Sequence, residues 1–139
     1  MNAKTIEIDG KVRETYEHAK TNFQKSLVII TGSEVKAGII LAVMVMDNPV
    51  VDEISELTGF YPSTVRESIQ ELSEKGLLAR EKLKTAEGQL GKKPYIYRIG
   101  NLAETMDDYV EKTKQKFNTI KEVVNDFEKV KRESRIEKE

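Results

Sequence analysis

From Met106 to Phe127, the residues Met106, Val110, Thr113, Phe117, Ile120, Val124 and Phe127 recur in steps of four and three. That rhythm is a heptad seam along one helix. Its 22 residues make about 33 Å of helix at 1.5 Å per residue, more than a small domain can cover. Part of the seam must therefore meet another chain. Nearer the N-terminus, Val12, Tyr16, Ala19, Phe23, Leu27 and Ile30 share a helical stripe and predict a helix over 9–30. The expectation is a homodimer joined by its terminal helices, 9–30 and 101–131, as a coiled coil or bundle. Its contacts would come from Val12, Tyr16, Phe23 and Ile30 on the first helix. On the last they would come from Met106, Val110, Phe117, Ile120, Val124 and Phe127. The competing reading is packing of both helices around the chain's own core. Beyond Phe127 the tail KVKRESRIEKE is almost wholly charged and is expected to fray.

Between these helices the pattern shortens. Thr31, Gly32 and Ser33 interrupt the first helix, and Val35 to Met46 is apolar nearly all round, as a central buried helix must be. Met44 and Met46 read as core filling. Asn48 and Pro49 end that helix, and Val51 to Thr58 follows as a short one, with Asp52 and Glu53 suiting its N-terminal dipole. Gly59 permits a sharp turn. Pro62, Ser63 and Thr64 then start a helix over 62–75 that buries Val65, Ile69 and Leu72 and closes at Lys75 and Gly76. Leu78 to Thr85 and Pro94 to Ile99 read as two strands joined by AEGQLGKK. Asn101 is placed to cap the last helix.

A 139-residue chain with 38% hydrophobic and 34% charged residues reads as a single globular domain, mainly α with a small β-hairpin. It has no cysteine, which excludes disulfides, thiolate catalysis and cysteine-ligated zinc. No apolar run approaches a membrane span, and the opening MNAKTIEIDGK lacks a signal peptide's apolar stretch, so cytoplasm is the expected compartment. Net charge is only −1, yet its distribution is uneven. Within 79–99, Arg80, Lys82, Lys84, Lys92, Lys93 and Arg98 face only Glu81 and Glu87.

Signals for catalysis are weak. His18, the single histidine, falls on the polar side of its helix. Asp107 and Asp108, like Asp52 and Glu53, are sequence neighbours that point about 100° apart on a helix and do not converge on one substrate. No phosphate loop, nucleophile motif or dinucleotide fingerprint is present. The expectation is a protein without enzymatic activity, metal or cofactor.

The stretch VDEISELTGFYPSTVRESIQELSEKGLLARE resembles the core of the MarR-like and TrmB-like regulators. GKKPYIYRI is similar to the second wing strand of the TrmB-like group. The resemblance covers residues 35–99, and the flanking helices look like the dimerisation helices of small archaeal winged-helix regulators, including the Lrs-type proteins. It implies a winged helix-turn-helix in a transcription regulator of double-stranded DNA. Helix 62–75 would then enter the major groove, and the basic wing 79–99 would lie on the backbone or minor groove. Opposite the buried side of that helix lie Ser63, Arg66, Glu67, Gln70 and Glu74. Tyr61, Ser63 and Thr64 can donate to phosphates; Arg66 and Gln70 can read base edges. In the wing, Arg80, Lys82, Lys84, Lys92 and Lys93 can neutralise phosphates. The chain departs from the family pattern at Glu67, Glu71 and Glu74, whose carboxylates are repelled by phosphate. The alternative is a winged-helix module that binds a basic protein partner and no DNA.

Overall fold

The computed structural model describes residues 7–83 and 94–138. It is mainly helical with one antiparallel hairpin, and it divides into two compact units, one ending at Leu102 and one beginning at Ala103.

In the first unit, α1 (Gly10–Thr31) starts where the Asp9 carboxylate accepts from the Lys11 N–H at 2.8 Å. It ends at Gly32, whose φ of 85° is the left-handed conformation that glycine adopts without steric penalty. Ser33 caps α2 (Glu34–Val45) by accepting from Lys36 N–H at 3.0 Å. As the all-round apolar pattern requires, Ala37 through Val43 are buried. Ile39, Ile40 and Leu41 are fully enclosed, a burial worth about 1.5–3 kcal/mol for each side chain. Met44 departs from its expected core role: it sits on the last turn of α2 with half its surface exposed.

The helices α3 (Val51–Thr58) and α4 (Pro62–Glu74) flank a turn at Gly59, φ 82°. Glu53 accepts from the Val50 N–H at 3.1 Å, which satisfies one free donor at the start of α3. Within the turn, Ser55 Oγ donates to the Phe60 carbonyl at 2.5 Å, and Thr58 Oγ1 accepts from the Phe60 N–H at 3.2 Å. These bonds set the direction in which α4 leaves α3. Ile54 and Leu57 of α3 and Val65, Ile69 and Leu72 of α4 then close the core over α2.

Strands β1 (Leu78–Lys82) and β2 (Tyr95–Ile99) pair antiparallel, with Leu78 opposite Ile99 and Arg80 opposite Tyr97. Leu77, Leu78 and Tyr97 anchor the hairpin in the core. The Tyr97 N–H donates to the Pro49 carbonyl at 3.0 Å, which ties β2 to the segment between α2 and α3.

Tyr16 corrects one expectation. Rather than offering a dimer contact, it is only 2% exposed, and its hydroxyl lies beside Gly38 of α2. The α1 stripe is spent mostly within the unit, because α2 lies along it: Ala19 and Leu27 are also buried, and Val12 and Ile30 are half-buried. Of the four α1 residues expected at the dimer interface, Phe23 alone is exposed.

The second unit is the single helix α5 (Leu102–Lys138) after its first residue. It does not fray beyond Phe127 as the charged tail suggests. Lysine, arginine and glutamate are good helix formers, and no glycine or proline interrupts the run. Ion pairs one turn apart, Lys112 with Asp108 at 3.8 Å and Lys131 with Glu128 at 3.7 Å, add a little along the exposed surface. No helix among the described residues is long and apolar enough to cross a membrane.

Candidate nucleic-acid interface

The α4 periodicity sorts its side chains as expected. Val65, Ser68, Ile69 and Leu72 are buried, whereas Ser63, Arg66, Glu67, Gln70 and Glu74 are exposed. Tyr61 stands at the helix start with 80% of its surface free, and Thr64 is half-buried. The N-cap residue makes no side-chain cap bond. A helix start of this kind offers backbone N–H donors and the positive end of the helix dipole to an anion.

The hairpin lies along this face. A groove of about 680 Å³ runs between α4 and the strands, bounded by Arg66, Gln70 and Glu74 on one side and by Ala79, Arg80 and Tyr97 on the other. A second recess of about 510 Å³, bounded by Val51, Asp52, Pro94 and Tyr95, meets it at Arg66 and Tyr97. Arg66 therefore borders both hollows. Burial pushes the Tyr97 hydroxyl above the usual tyrosine range, partly opposed by the positive charges of Arg80 and Arg66. The phenol stays neutral and keeps its proton to donate.

The hairpin arginines are held differently. Arg80 lies over the Tyr95 ring, its Cζ 4.6 Å from the ring centre in a cation–π contact, and the residue remains exposed. Arg98 is paired with Glu81 across the strands at 3.1 Å. Lys82 is exposed at the end of β1. Lys84, Lys92 and Lys93 lie outside the described residues.

Of the carboxylates on α4, Glu71 is engaged by Lys36 of α2. The hydrogen bond from Lys36 and its charge hold the Glu71 carboxyl below the usual range. The pair links residues far apart in the chain and has no local signature in the sequence. Glu67 stays exposed, and Glu74 accepts from Gln70 at 3.4 Å. Lys36 thus offsets one of the three carboxylates, and the exposed Glu67 and Glu74 remain on the side of α4 opposite its buried face.

His18 is exposed on α1. Among the described residues no three histidine, aspartate or glutamate side chains are grouped to hold a metal ion. Along α5, Val110, Phe117, Ile120, Val124 and Phe127 are exposed and Met106 is half-buried. Tyr109, Val123 and Val130 are exposed beside them; they flank the seam, and a strict heptad reading passes over them.

No protein-family model matches this chain, and no curated protein matches it.

Proposed function

We propose that this chain is a winged helix-turn-helix transcription regulator that binds double-stranded DNA as a homodimer. In this reading α4 enters the major groove, the hairpin is the wing, and catalysis plays no part. The observation that carries it is the shared concave surface of α4 and the hairpin, on which Arg66 and Arg80 converge. Arginine at such a position can clamp phosphate or guanine with two parallel hydrogen bonds. Tyr61, Ser63 and the open start of α4 supply donors for a neighbouring phosphate. Homodimerisation through the terminal helices is supported by the exposed apolar side chains of α5 and by Phe23.

Titration of labelled duplexes of unrelated sequence tests this reading. Arg66→Ala and Arg80→Ala should each weaken binding and flatten its salt dependence by up to about 0.9 in log–log slope for each phosphate no longer neutralised. Arg13→Ala serves as the control, since Arg13 pairs with Glu56 at 3.2 Å and does not border the groove. If both groove variants bind as the parent does, this face is not the interface. A chain that binds no duplex at all but captures a basic peptide through Glu67 and Glu74 would support the protein-interaction reading instead.

A further inference from the structure

Resting on the homodimer reading above, we propose that α5 pairs with α5 of a second copy of this chain, antiparallel and in one register. Along the seam, Phe117 meets the partner's Phe127, and Ile120 meets the partner's Val124. The apolar side chains at these positions are between 49% and 63% exposed within their own chain, and the register closes them into four consecutive apolar layers.

Charge decides the orientation. In a coiled coil the residues flanking the seam meet across the interface and set partner and direction. One flank of α5 carries Asp107, Lys114, Lys121, Glu128 and Arg135; the other carries Tyr109, Lys116, Val123 and Val130. If the helices ran parallel, opposite flanks would meet one heptad apart. Lys116 would then lie against the partner's Lys121, twice by symmetry, and Lys131 would face the partner's Lys131 within the seam. No pair of opposite charges would form.

Antiparallel helices bring like flanks together. In the proposed register Asp107 meets the partner's Arg135, and Lys114 meets the partner's Glu128. Symmetry doubles both, giving four attractive pairs against one repulsion, Lys121 with the partner's Lys121 on the dyad. A slip of one heptad in one direction sets Lys114 on the partner's Lys121 and Asp107 on the partner's Glu128. A slip in the other direction gains Lys121 on the partner's Glu128 but sets Lys114 on the partner's Arg135 equally often, so the flank charges cancel, and it drives the partner's Lys131 onto Ile120. Glu128 also pairs with Lys131 of its own chain at 3.7 Å but remains exposed, and a carboxylate can accept from two cations.

The chain has no cysteine, so disulfide trapping reads the geometry directly. Thr113 and Lys131 are the polar positions that face each other in this register, and replacing them leaves the apolar layers intact. In the antiparallel pair two copies of residue 113 stand about 27 Å apart along the axis, whereas a disulfide needs its Cα atoms within about 7 Å. Thr113→Cys alone and Lys131→Cys alone should therefore not cross-link on mild oxidation. Their mixture should give a covalent heterodimer of two 15.8 kDa chains. Cross-linking by each variant alone would establish the parallel pair and overturn the proposal. Cross-linking of Thr113→Cys with Val124→Cys in place of Lys131→Cys would overturn the register. Sedimentation separates the two readings: a dimer with no α5 cross-link in any combination refutes this pairing and keeps the homodimer, and a monomer refutes both. Glu128→Lys should raise the dimer dissociation constant by about tenfold, and Lys114→Glu with Glu128→Lys should restore it. Failure of the double exchange to restore affinity would also overturn the pairing.

Discussion

Gly38→Ala probes the point at which α1, α2 and the α3–α4 turn meet, and so the fixing of α4 itself. A Cβ at Gly38 would lie 3.2 Å from Phe60 Cε2, 3.3 Å from Tyr16 Oη and 3.4 Å from Phe60 Cζ. Ordinary packing would need a few tenths of an ångström more, and Tyr16 is buried and has little room to retreat. Alanine in place of glycine inside a helix contributes about 0.8–1 kcal/mol. Crowding of a packed core costs about 1–3 kcal/mol. The expected balance is a loss of about 1 kcal/mol, or about 3–5 °C in Tm for a chain of this length. Urea unfolding followed by circular dichroism measures it, and a double-mutant cycle with Phe60→Leu assigns it. The loss should shrink when the larger ring is gone. If Gly38→Ala instead stabilises the chain by the full helix-propensity gain, the close packing of Tyr16 and Phe60 on α2 is refuted.

Burial pushes the Tyr16 phenol up to about 12, so its contribution is intact below the unfolded value near 10 and is lost as pH rises through 12. The loss should reach about 2–3 kcal/mol by that pH; Tyr97, also raised, acts in the same direction. Tyr16→Phe should flatten the alkaline limb in pH-dependent urea unfolding, and an unchanged limb would refute the assignment. Phe117→Glu with Ile120→Glu should give a monomer on sedimentation while the first unit keeps its cooperative unfolding, with DNA affinity falling steeply. A double variant that stays dimeric would place the interface elsewhere. Glu67→Gln should tighten binding to random duplex in fluorescence anisotropy, because it removes an exposed carboxylate from the groove-facing side of α4; no change on any duplex would argue that α4 is not lodged in the groove.

The elements legible in the sequence are those set by local chemistry. The short helix Val51–Thr58 has the bounds that its apolar spacing and Gly59 predict, and α4 buries the residues its period selects. The parts that cannot be read there depend on distant segments meeting. A stripe reveals which face of α1 is apolar, but not that α2 covers Tyr16 and leaves Phe23 open. The Lys36–Glu71 and Arg13–Glu56 pairs, and the bond from Tyr97 to Pro49, likewise need the folded chain. The contact of Arg80 with the Tyr95 ring requires the strand register, which no turn motif in the sequence fixes. The full length of α5 is hidden because a charged tail signals solubility as readily as it signals helix propensity.

Fluorescence anisotropy of a random-sequence duplex of about two helical turns, titrated with the full chain between about 50 and 200 mM salt, decides whether this protein binds DNA through its phosphates. Binding should be present at the lower salt, and log affinity should fall linearly with log salt, with a slope near −0.9 for each phosphate neutralised. Binding that is absent at about 50 mM salt with the protein dimeric and folded, or that is indifferent to salt, would contradict the proposed DNA interface.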